Sequence, residues 1–277
     1  MTPFLKMHGL GNDFVVFDAR KRGLTLDAAS ARALADRRFG VGCDQVIVIG
    51  EGHGAVDAAM RIYNADGGEV ESCGNAARCV ARLLMEEQDR DRVVLDTPGA
   101  ELVCVDAGHG AVTVDMGVPH FDWTDIPLTR PEDTNLFTLD VGGEKHKVSA
   151  VNVGNPHCVL FVNDAEAAPV AALGARIETH PLFPERINVE FVTVKDRTHL
   201  RMRVWERGVG ITSACGTGAC AIAVAAHRRG LTERKMEVML DGGALTIEWR
   251  ESDGHMLMTG PATLAFKGEV DLGAYAA

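Results

Sequence analysis

Short apolar runs rich in β-branched residues, each bounded by Gly, Asp or Asn, recur along the chain and predict strands. In the first half they are FVVFDA, QVIVIG, MRIYN, RVVLDT, ELVCVD and AVTVDM. In the second half they are KVSAVNV, HCVLFVN, INVEFVTV, HLRMRVWE, MEVML and ALTIEW. Amphipathic segments at about 26–38 and about 164–173 predict helices, and we expect Pro169 to bend or break the second.

Two further segments predict helices that are enclosed on every side by the rest of the protein. NAARCVARLLM, which begins at residue 75, and TGACAIAVAAH, which begins at residue 217, are small or apolar on nearly every face. We therefore expect each of them to run through the middle of its own sheet. Arg228 and Arg229 place basic side chains over the last turn of the second helix, and Gly230 can adopt the left-handed conformation that caps a helix.

The two halves of the chain repeat each other, because polar residues in separate places pair at nearly one separation. The pairs are Asn12 with Asn155 and Gln45 with Asn188, 143 residues apart, and Asn64 with Glu206, Gly68 with Gly210 and Cys73 with Cys215, 142 residues apart. The repetition predicts a duplicated unit whose halves are related by an approximate two-fold axis. The fold class is therefore expected to be α/β (α+β), with two pseudo-symmetric domains that each wrap a sheet round a central helix.

Composition excludes several classes of partner. A chain of 277 residues with 46% hydrophobic residues suits two medium domains. Its net charge of −11 leaves no basic block to neutralise phosphates, so we expect no nucleic-acid partner. No apolar run approaches the roughly 18 residues that span a bilayer, and the first ten residues lack a signal-peptide core. We expect no membrane association and a cytoplasmic location.

The seven cysteines favour reduced thiols over a disulfide framework, since their number is odd and no secretory signal is evident. The spacings Cys73-x5-Cys79 and Cys215-x4-Cys220 differ from the usual zinc pattern. No metal site is therefore expected.

The paired cysteines suggest the chemistry. If the two halves meet face to face, Cys73 would confront Cys215 across one cleft. Each lies at the start of a helix, where unpaired N–H groups favour an anion, lower the pKa of a thiol and form a cradle for a carboxylate. Gly74 and Gly216 let the backbone approach a ligand. One thiolate could remove an α-proton while the opposite thiol returns a proton to the other face, which inverts the carbon. No pyridoxal phosphate is required, although the sequence leaves a Schiff-base lysine open.

The most specific motifs of the chain are KMHGLGNDF (6–14), DQ (44–45), NADGGEVESCGNAARC (64–79), GNPHC (154–158), INVEFV (187–192) and ERGVGITSACGTGAC (206–220). Through these motifs the chain resembles the diaminopimelate epimerase family over nearly its whole length. The resemblance implies a cofactor-independent isomerase that interconverts LL- and meso-diaminopimelate on the route to lysine and peptidoglycan. It also implies an N-terminal lobe of residues 1–115, to which residues 262–277 return, and a C-terminal lobe of residues 116–261.

The resemblance assigns roles residue by residue. Cys73 and Cys215 would be the catalytic acid and base, with His157 and Glu206 as groups that modulate the thiols. The substrate contacts would be Asn12, Gln45, Asn64, Gly74, Asn75, Asn155, Asn188, Glu206, Arg207, Gly216 and Thr217. Cys43, Cys79, Cys104, Cys158 and Cys220 would be bystanders. Phe266 lies where the family tends to carry an aromatic residue at its dimer contact, which predicts a homodimer.

Three alternatives remain. Glycine clusters such as GLGNDF, GVGCDQ and GVGITSACGTG invite a nucleotide-binding interpretation, but none completes a dinucleotide or phosphate-loop motif. A redox or noncatalytic thiol protein would cycle or bury the two cysteines instead of using them as acid and base. A two-cysteine racemase of another amino acid, such as proline or histidine, is the third. Arg207, Asn64 and Asn188 favour a substrate with a second charged end, which diaminopimelate has.

Overall fold

The computed structural model describes residues 1–71 and 73–275, and the chain divides into two compact units. Unit 1 comprises Met1–Val114 and Thr259–Ala277, and unit 2 comprises Asp115–Met258. Ser72, which belongs to the first cysteine motif, and residues 276 and 277 of the predicted C-terminal segment lie outside the described residues.

Strands dominate both units. They are β1 (Thr2–Gly9), β2 (Asn12–Asp18), β3 (Gln45–Glu51), β4 (Ala58–Asn64), β5 (Glu69–Val70), β6 (Arg92–Asp96), β7 (Glu101–Gly108), β8 (Ala111–Asp115), β9 (Phe137–Val141), β10 (Glu144–Asn152), β11 (Pro156–Phe161), β12 (Asn188–Val194), β13 (His199–Glu206), β14 (Gly210–Ile211), β15 (Lys235–Leu240), β16 (Gly243–Trp249), β17 (Met256–Pro261) and β18 (Thr263–Val270). The helices are α1 (Ala28–Ala35), α2 (Gly74–Gln88), α3 (Val170–Glu178) and α4 (Gly216–Arg228), and a short 3₁₀ helix covers Leu272–Tyr275.

The same order of strands occurs in each unit. In unit 1 the sheet runs β1-β2-β3-β4-β6-β7, and in unit 2 it runs β10-β11-β12-β13-β15-β16. Successive neighbours are antiparallel, parallel, antiparallel, parallel and antiparallel in both. The registers agree as well, since Phe14 lies opposite Gln45 in unit 1 and His157 lies opposite Asn188 in unit 2. The predicted internal duplication is confirmed.

Each sheet wraps round one helix, as the sequence predicts. In α4 every residue from Gly218 to Ala226 is buried, and the helix contacts β10, β11, β12, β13, β15 and β16. In α2 the residues from Gly74 to Ala81 are buried against β1, β6 and β7. Small side chains let strands approach such a helix from several directions. Gly230, after α4, has a φ of +71° and so takes the predicted left-handed conformation.

The predicted segments correspond to observed elements, with differences in the helices. Every strand predicted from an apolar run is present, whereas β1, β5, β9, β14 and β17 were not predicted, and β18 was implied only by the resemblance. The bounds predicted for α3 were wrong, because this helix starts after Pro169 and continues to Glu178. Proline suits a helix start, where its missing N–H and fixed φ carry no penalty, so it begins α3 instead of bending it. α1 is shorter than predicted and starts after Asp27, whose side chain accepts a hydrogen bond from Ser30 N.

The C-terminal strand β18 pairs antiparallel with β1 in unit 1. Its residues Leu264 and Phe266 are exposed, so this strand does not bury one apolar face within unit 1 as a half-buried strand does. No helix among the residues that the structure describes is long and apolar enough to cross a lipid bilayer.

A charged cluster ties β1 and β2 to the loop after α1. The Asp13 carboxylate lies 2.5 Å from Lys6 Nζ and 2.6 Å from Arg37 Nη2. Burial alone would raise the pKa of Asp13, but hydrogen bonds from Arg37 and Lys6 outweigh it and lower the pKa to about 2. The ionised form of Asp13 is therefore favoured by folding.

We expect Asp13→Asn to lower the free energy of unfolding at neutral pH by about 1–2 kcal/mol. Because the pKa of Asp13 is depressed in the folded protein, its contribution is present above the unfolded pKa of about 3.9 and is lost as the pH falls towards about 2. Urea unfolding of both proteins across this range checks the prediction. A stability difference that stays constant down to the acid end would contradict it.

Candidate active site

In unit 1, Cys73 is the N-cap residue of α2 and is half-buried. Its Sγ donates a weak hydrogen bond to Asn12 Oδ1 at 3.9 Å, and Asn75 Nδ2 donates to the same oxygen at 3.1 Å. Gly74 and Asn75 form the first turn of the helix. The structure therefore brings four of the predicted site residues together around the start of α2.

The amides of this group are held from both sides. Asn12 Nδ2 donates to Asp44 Oδ2 at 3.0 Å, and Arg78 Nη2 donates to Asn75 Oδ1 at 2.9 Å. The Arg78 side chain is completely buried within α2. Since an amide has one accepting and one donating end, these partners fix which way Asn12 and Asn75 point. Asp44 and Arg78 were not singled out as site residues from the sequence.

Gln45 and Asn64 face each other across β3 and β4, as their register requires. Gln45 Nε2 donates to Asn64 Oδ1 at 2.9 Å. The other end of the Gln45 amide, Oε1, is buried and has no hydrogen-bond partner among the described residues. A buried acceptor of this kind is suited to a ligand donor such as an ammonium group.

In unit 2, Cys215 is the N-cap residue of α4 and is 6% exposed. Its Sγ accepts a hydrogen bond from Gly218 N at 3.4 Å and lies 3.5 Å from Thr217 Oγ1. The helix therefore places its first-turn donors against the sulfur, as its sequence position predicts. Gly216 is the first helical residue.

The prediction that the helix start lowers the pKa of the thiol is wrong for Cys215. Burial, and after it the charges of Glu206 and Glu190, raise its pKa well above the usual value, although the hydrogen bonds from Thr217 and Gly218 N act in the opposite direction. Loss of water around the sulfur disfavours the thiolate more than the helix start favours it. The sequence indicates that a helix starts at this cysteine, but it does not indicate how deeply the sulfur is buried.

A histidine and a glutamate form a buried pair beside this cysteine. His157 and Glu190 are both completely buried, and His157 Nδ1 lies 2.6 Å from Glu190 Oε1. The other ring nitrogen, Nε2, lies 2.7 Å from Asn155 Oδ1. Glu190 was missed from the sequence, although a charged residue in the centre of the apolar run INVEFVTV is the signal that could have revealed it.

Of the remaining predicted residues of unit 2, Glu206 and Arg207 lie where β13 turns into β14, and Asn188 starts the neighbouring strand β12. Asn188 Nδ2 donates to the Pro156 carbonyl at 2.9 Å, and Asn188 Oδ1 accepts from Arg207 N at 2.9 Å. The Arg207 side chain is exposed, and Glu206 accepts a hydrogen bond from Thr212 Oγ1. Asn188 therefore braces the backbone that carries Glu206 and Arg207, and its direct contact with substrate stays a prediction.

The other five cysteines lie apart from this chemistry. All five are buried: Cys43, Cys79, Cys104, Cys158 and Cys220. Burial raises the pKa of Cys43 and of Cys79 to about 12, which disfavours their reactive thiolate forms. Among the described residues no cysteine is joined in a disulfide, and no cluster of His, Cys, Asp or Glu is placed to hold a metal ion.

Sequence comparisons identify relatives along nearly the whole chain. The family model described as diaminopimelate epimerase matches residues 4–121 and residues 149–265. A diaminopimelate epimerase of Erythrobacter litoralis is 55% identical over 274 residues, which cover 98% of this chain and 98% of the relative. A second one, from Phenylobacterium zucineum, is 52% identical over 273 residues, with 97% of each chain covered.

Solved structures share the fold. A predicted epimerase from Pseudomonas aeruginosa superposes with a TM-score of 0.70 at 20% identity and covers 98% of this chain and 99% of its own. A hydroxyproline epimerase from Agrobacterium vitis, with trans-4-hydroxy-L-proline bound, superposes with a TM-score of 0.69 at 17% identity and covers 96% of this chain and 91% of its own. These likenesses establish the architecture of two repeated halves.

We expect Glu206→Gln to lower the pKa of Cys215, because it removes a negative charge that disfavours the thiolate. The rate of alkylation of Cys215, followed by mass spectrometry as a function of pH, should therefore reach half its maximum at a lower pH. Glu166→Gln, which neutralises an exposed carboxylate of unit 2, is the control and should leave this midpoint in place. An unchanged midpoint in Glu206→Gln would rule out this electrostatic effect.

Proposed function

Because the chain belongs to the diaminopimelate epimerase family, we propose that it interconverts LL- and meso-2,6-diaminopimelate in the synthesis of lysine and peptidoglycan precursors. One observation carries the proposal beyond the family match. Cys73 and Cys215 occupy the same place in the two repeats, and each directly precedes the enclosed helix of its unit.

The proposed reaction is an inversion at one α-carbon by two thiols. One cysteine, as thiolate, takes the α-proton, and the other, as thiol, delivers a proton to the opposite face. The carbanion formed between these steps places negative charge on the substrate carboxylate. First-turn N–H groups of α2 and α4 are suited to stabilise that charge, and a well-placed donor of this kind contributes about 3–4 kcal/mol. Neither pyridoxal phosphate nor a metal takes part in this mechanism.

The substrate has a second amino-acid end, which calls for charged and amide partners. We assign the distal carboxylate to Arg207, whose planar guanidinium can bind both oxygens, and an ammonium group to Glu206. The buried Gln45 Oε1 is a further acceptor for an ammonium group. The other proposed contacts are the amides and first-turn residues Asn12, Asn64, Gly74, Asn75, Asn155, Asn188, Gly216 and Thr217. His157 is proposed to act through Asn155.

The mechanism needs both thiols reduced, which favours a cytoplasmic location. A two-cysteine racemase acting on another amino acid is the alternative that a structural neighbour supports, since the Agrobacterium vitis protein holds trans-4-hydroxy-L-proline. That ligand lacks a second amino-acid end, so it has no use for a partner like Arg207. The substrate test therefore separates the two.

We expect the reduced protein, incubated with LL-diaminopimelate in deuterated water without pyridoxal phosphate, to form the meso isomer with deuterium at the α-carbon. Cys73→Ala and Cys215→Ala should each lower this turnover at least about 100-fold, because each removes one of the two acid–base groups. Cys43→Ala, which alters a buried thiol outside the site, is the matched control and should retain activity. NMR and chiral chromatography measure both products.

Retained turnover in either of the first two variants would exclude the two-thiol mechanism. Racemisation of L-proline in preference to diaminopimelate by the wild-type protein would favour the alternative substrate class.

We also propose that the protein forms a homodimer through β18. Leu264 and Phe266 are 39% and 52% exposed on this strand, and the Phe266 ring is held edge-on against Phe4 at 6.1 Å between centroids. A fixed, exposed aromatic side chain beside a second apolar one is typical of an interface.

We expect Phe266→Glu to convert the dimer to a monomer, because a buried unpaired carboxylate at an interface is strongly destabilising. Phe39→Glu is the control, since Phe39 is 84% exposed and lies outside β18. Sedimentation velocity distinguishes the species. A wild-type protein that sediments as a monomer, or a dimeric Phe266→Glu variant, would contradict the proposed interface.

A further inference from the structure

The buried pair of His157 and Glu190 occupies a position that is apolar in the other repeat. His157 faces Asn188 across β11 and β12, as Phe14 faces Gln45 across β2 and β3. Glu190 lies two residues further along β12, opposite Val159, where unit 1 has Ile47 opposite Val16. Phe14 and Ile47 are completely buried, as are His157 and Glu190. The same fold position is therefore filled by a hydrophobic pair in unit 1 and by a polar pair in unit 2.

The polar pair is not needed for the fold, because unit 1 forms the same pairing of strands without it. A buried carboxylate also costs stability unless all its oxygens are bonded. Glu190 Oε2 is buried and has no hydrogen-bond partner among the described residues. Replacing such a pair by hydrophobic residues of similar volume is often neutral or stabilising. Its presence in unit 2 therefore points to a role in the site.

The first turn of α4 leaves space for the carboxylate. A Cβ atom on Gly218 would lie 3.0 Å from Glu190 Oε1 and 3.2 Å from Cys215 Sγ. The corresponding residue of α2, three positions after Cys73, is Ala76. Unit 2 thus has Gly218 where Glu190 needs space, and both residues lie close to Cys215.

The orientation of the histidine decides which end of Asn155 is available. Oxygen atoms face both ring nitrogens, Glu190 Oε1 at Nδ1 and Asn155 Oδ1 at Nε2. An N–H at Nδ1 has Glu190 Oε1 as its acceptor, and an N–H at Nε2 has Asn155 Oδ1 as its acceptor. Asn155 then accepts from the ring through Oδ1, which leaves its amide nitrogen to donate to a ligand.

We propose that Glu190 is a positioning residue of the active site, which holds the His157 ring so that its Nε2–H fixes the amide of Asn155 for substrate binding. The kinetic consequence rests on the proposed function, whereas the hydrogen-bonding arrangement does not. In unit 1 the equivalent residue, Asn12, is instead oriented by the hydrogen bond that it donates to the carboxylate of Asp44. The two halves thus orient equivalent asparagines in different ways.

The first test determines which nitrogens of the His157 ring carry hydrogen. Nitrogen NMR of protein labelled at histidine should show hydrogen on both ring nitrogens of His157 in the wild type. In Glu190→Gln the new amide nitrogen can donate to Nδ1, so hydrogen should remain on Nε2 alone. Thr193→Val is the matched control. It removes the buried hydrogen bond that Thr193 Oγ1, on the same strand as Glu190, accepts from Ala165 N, and it should leave the His157 signals unchanged. Identical His157 signals in the wild type and Glu190→Gln would overturn the proposal.

The second test measures the turnover of LL-diaminopimelate. Loss of a hydrogen bond to a charged group typically has about a 10–100-fold effect, so kcat/KM of Glu190→Gln should fall by about that factor while Thr193→Val stays close to the wild type. The double variant His157→Phe with Glu190→Ile copies the apolar pair of unit 1. We expect it to keep the thermal stability of the wild type and to lose activity to at least the same extent.

The outcomes separate this proposal from the proposed function. A double variant with wild-type kcat/KM would overturn the positioning role, as would equal activity of Glu190→Gln and the wild type. A wild type without activity on diaminopimelate would count against the proposed function, and the NMR comparison would still decide the role of Glu190. If the double variant fails to fold, the pair is structural and the argument from unit 1 is wrong.

Discussion

Enclosure of α2 and α4 by their own sheets is the constraint on which the rest of the structure depends. A helix surrounded by strands on several sides favours small or apolar side chains, which accounts for the alanine-rich segments after Cys73 and Cys215. It also removes the first turn of each helix from bulk water. N–H groups that are shielded from water interact more strongly with a negative charge. A cysteine at such a helix start therefore lies among donors that can bind an anion.

The two repeats share a strand order but differ in their buried polar groups. Unit 1 buries Arg78 within its helix, where it orients Asn75. Unit 2 has Cys220 at that helix position and buries His157 and Glu190 in its strands instead. The same strand order thus forms with either set of buried groups. These differences give the two cysteines different surroundings, as an enzyme that distinguishes two stereoisomers needs.

The electrostatics of Cys215 show how two opposing effects are resolved. The start of α4 favours a thiolate through Gly218 N, whereas burial and two carboxylates disfavour it, and the net effect raises the thiol pKa. Burial dominates because the loss of hydration acts on the whole charge, while one N–H compensates only part of it.

The sequence by itself determined most of the strands, the two enclosed helices, the duplication and the placement of both cysteines at helix starts, because these depend on local periodicity and on spacing along the chain. It did not determine where α3 begins, since a proline can start or break a helix. Nor did it determine which strand β18 joins, since the pattern within a strand does not specify its partner. Only the tertiary structure decided the partners of the site residues, namely Asp44 with Asn12, Arg78 with Asn75 and Glu190 with His157. Burial and pairing depend on contacts between distant segments, which no local pattern specifies.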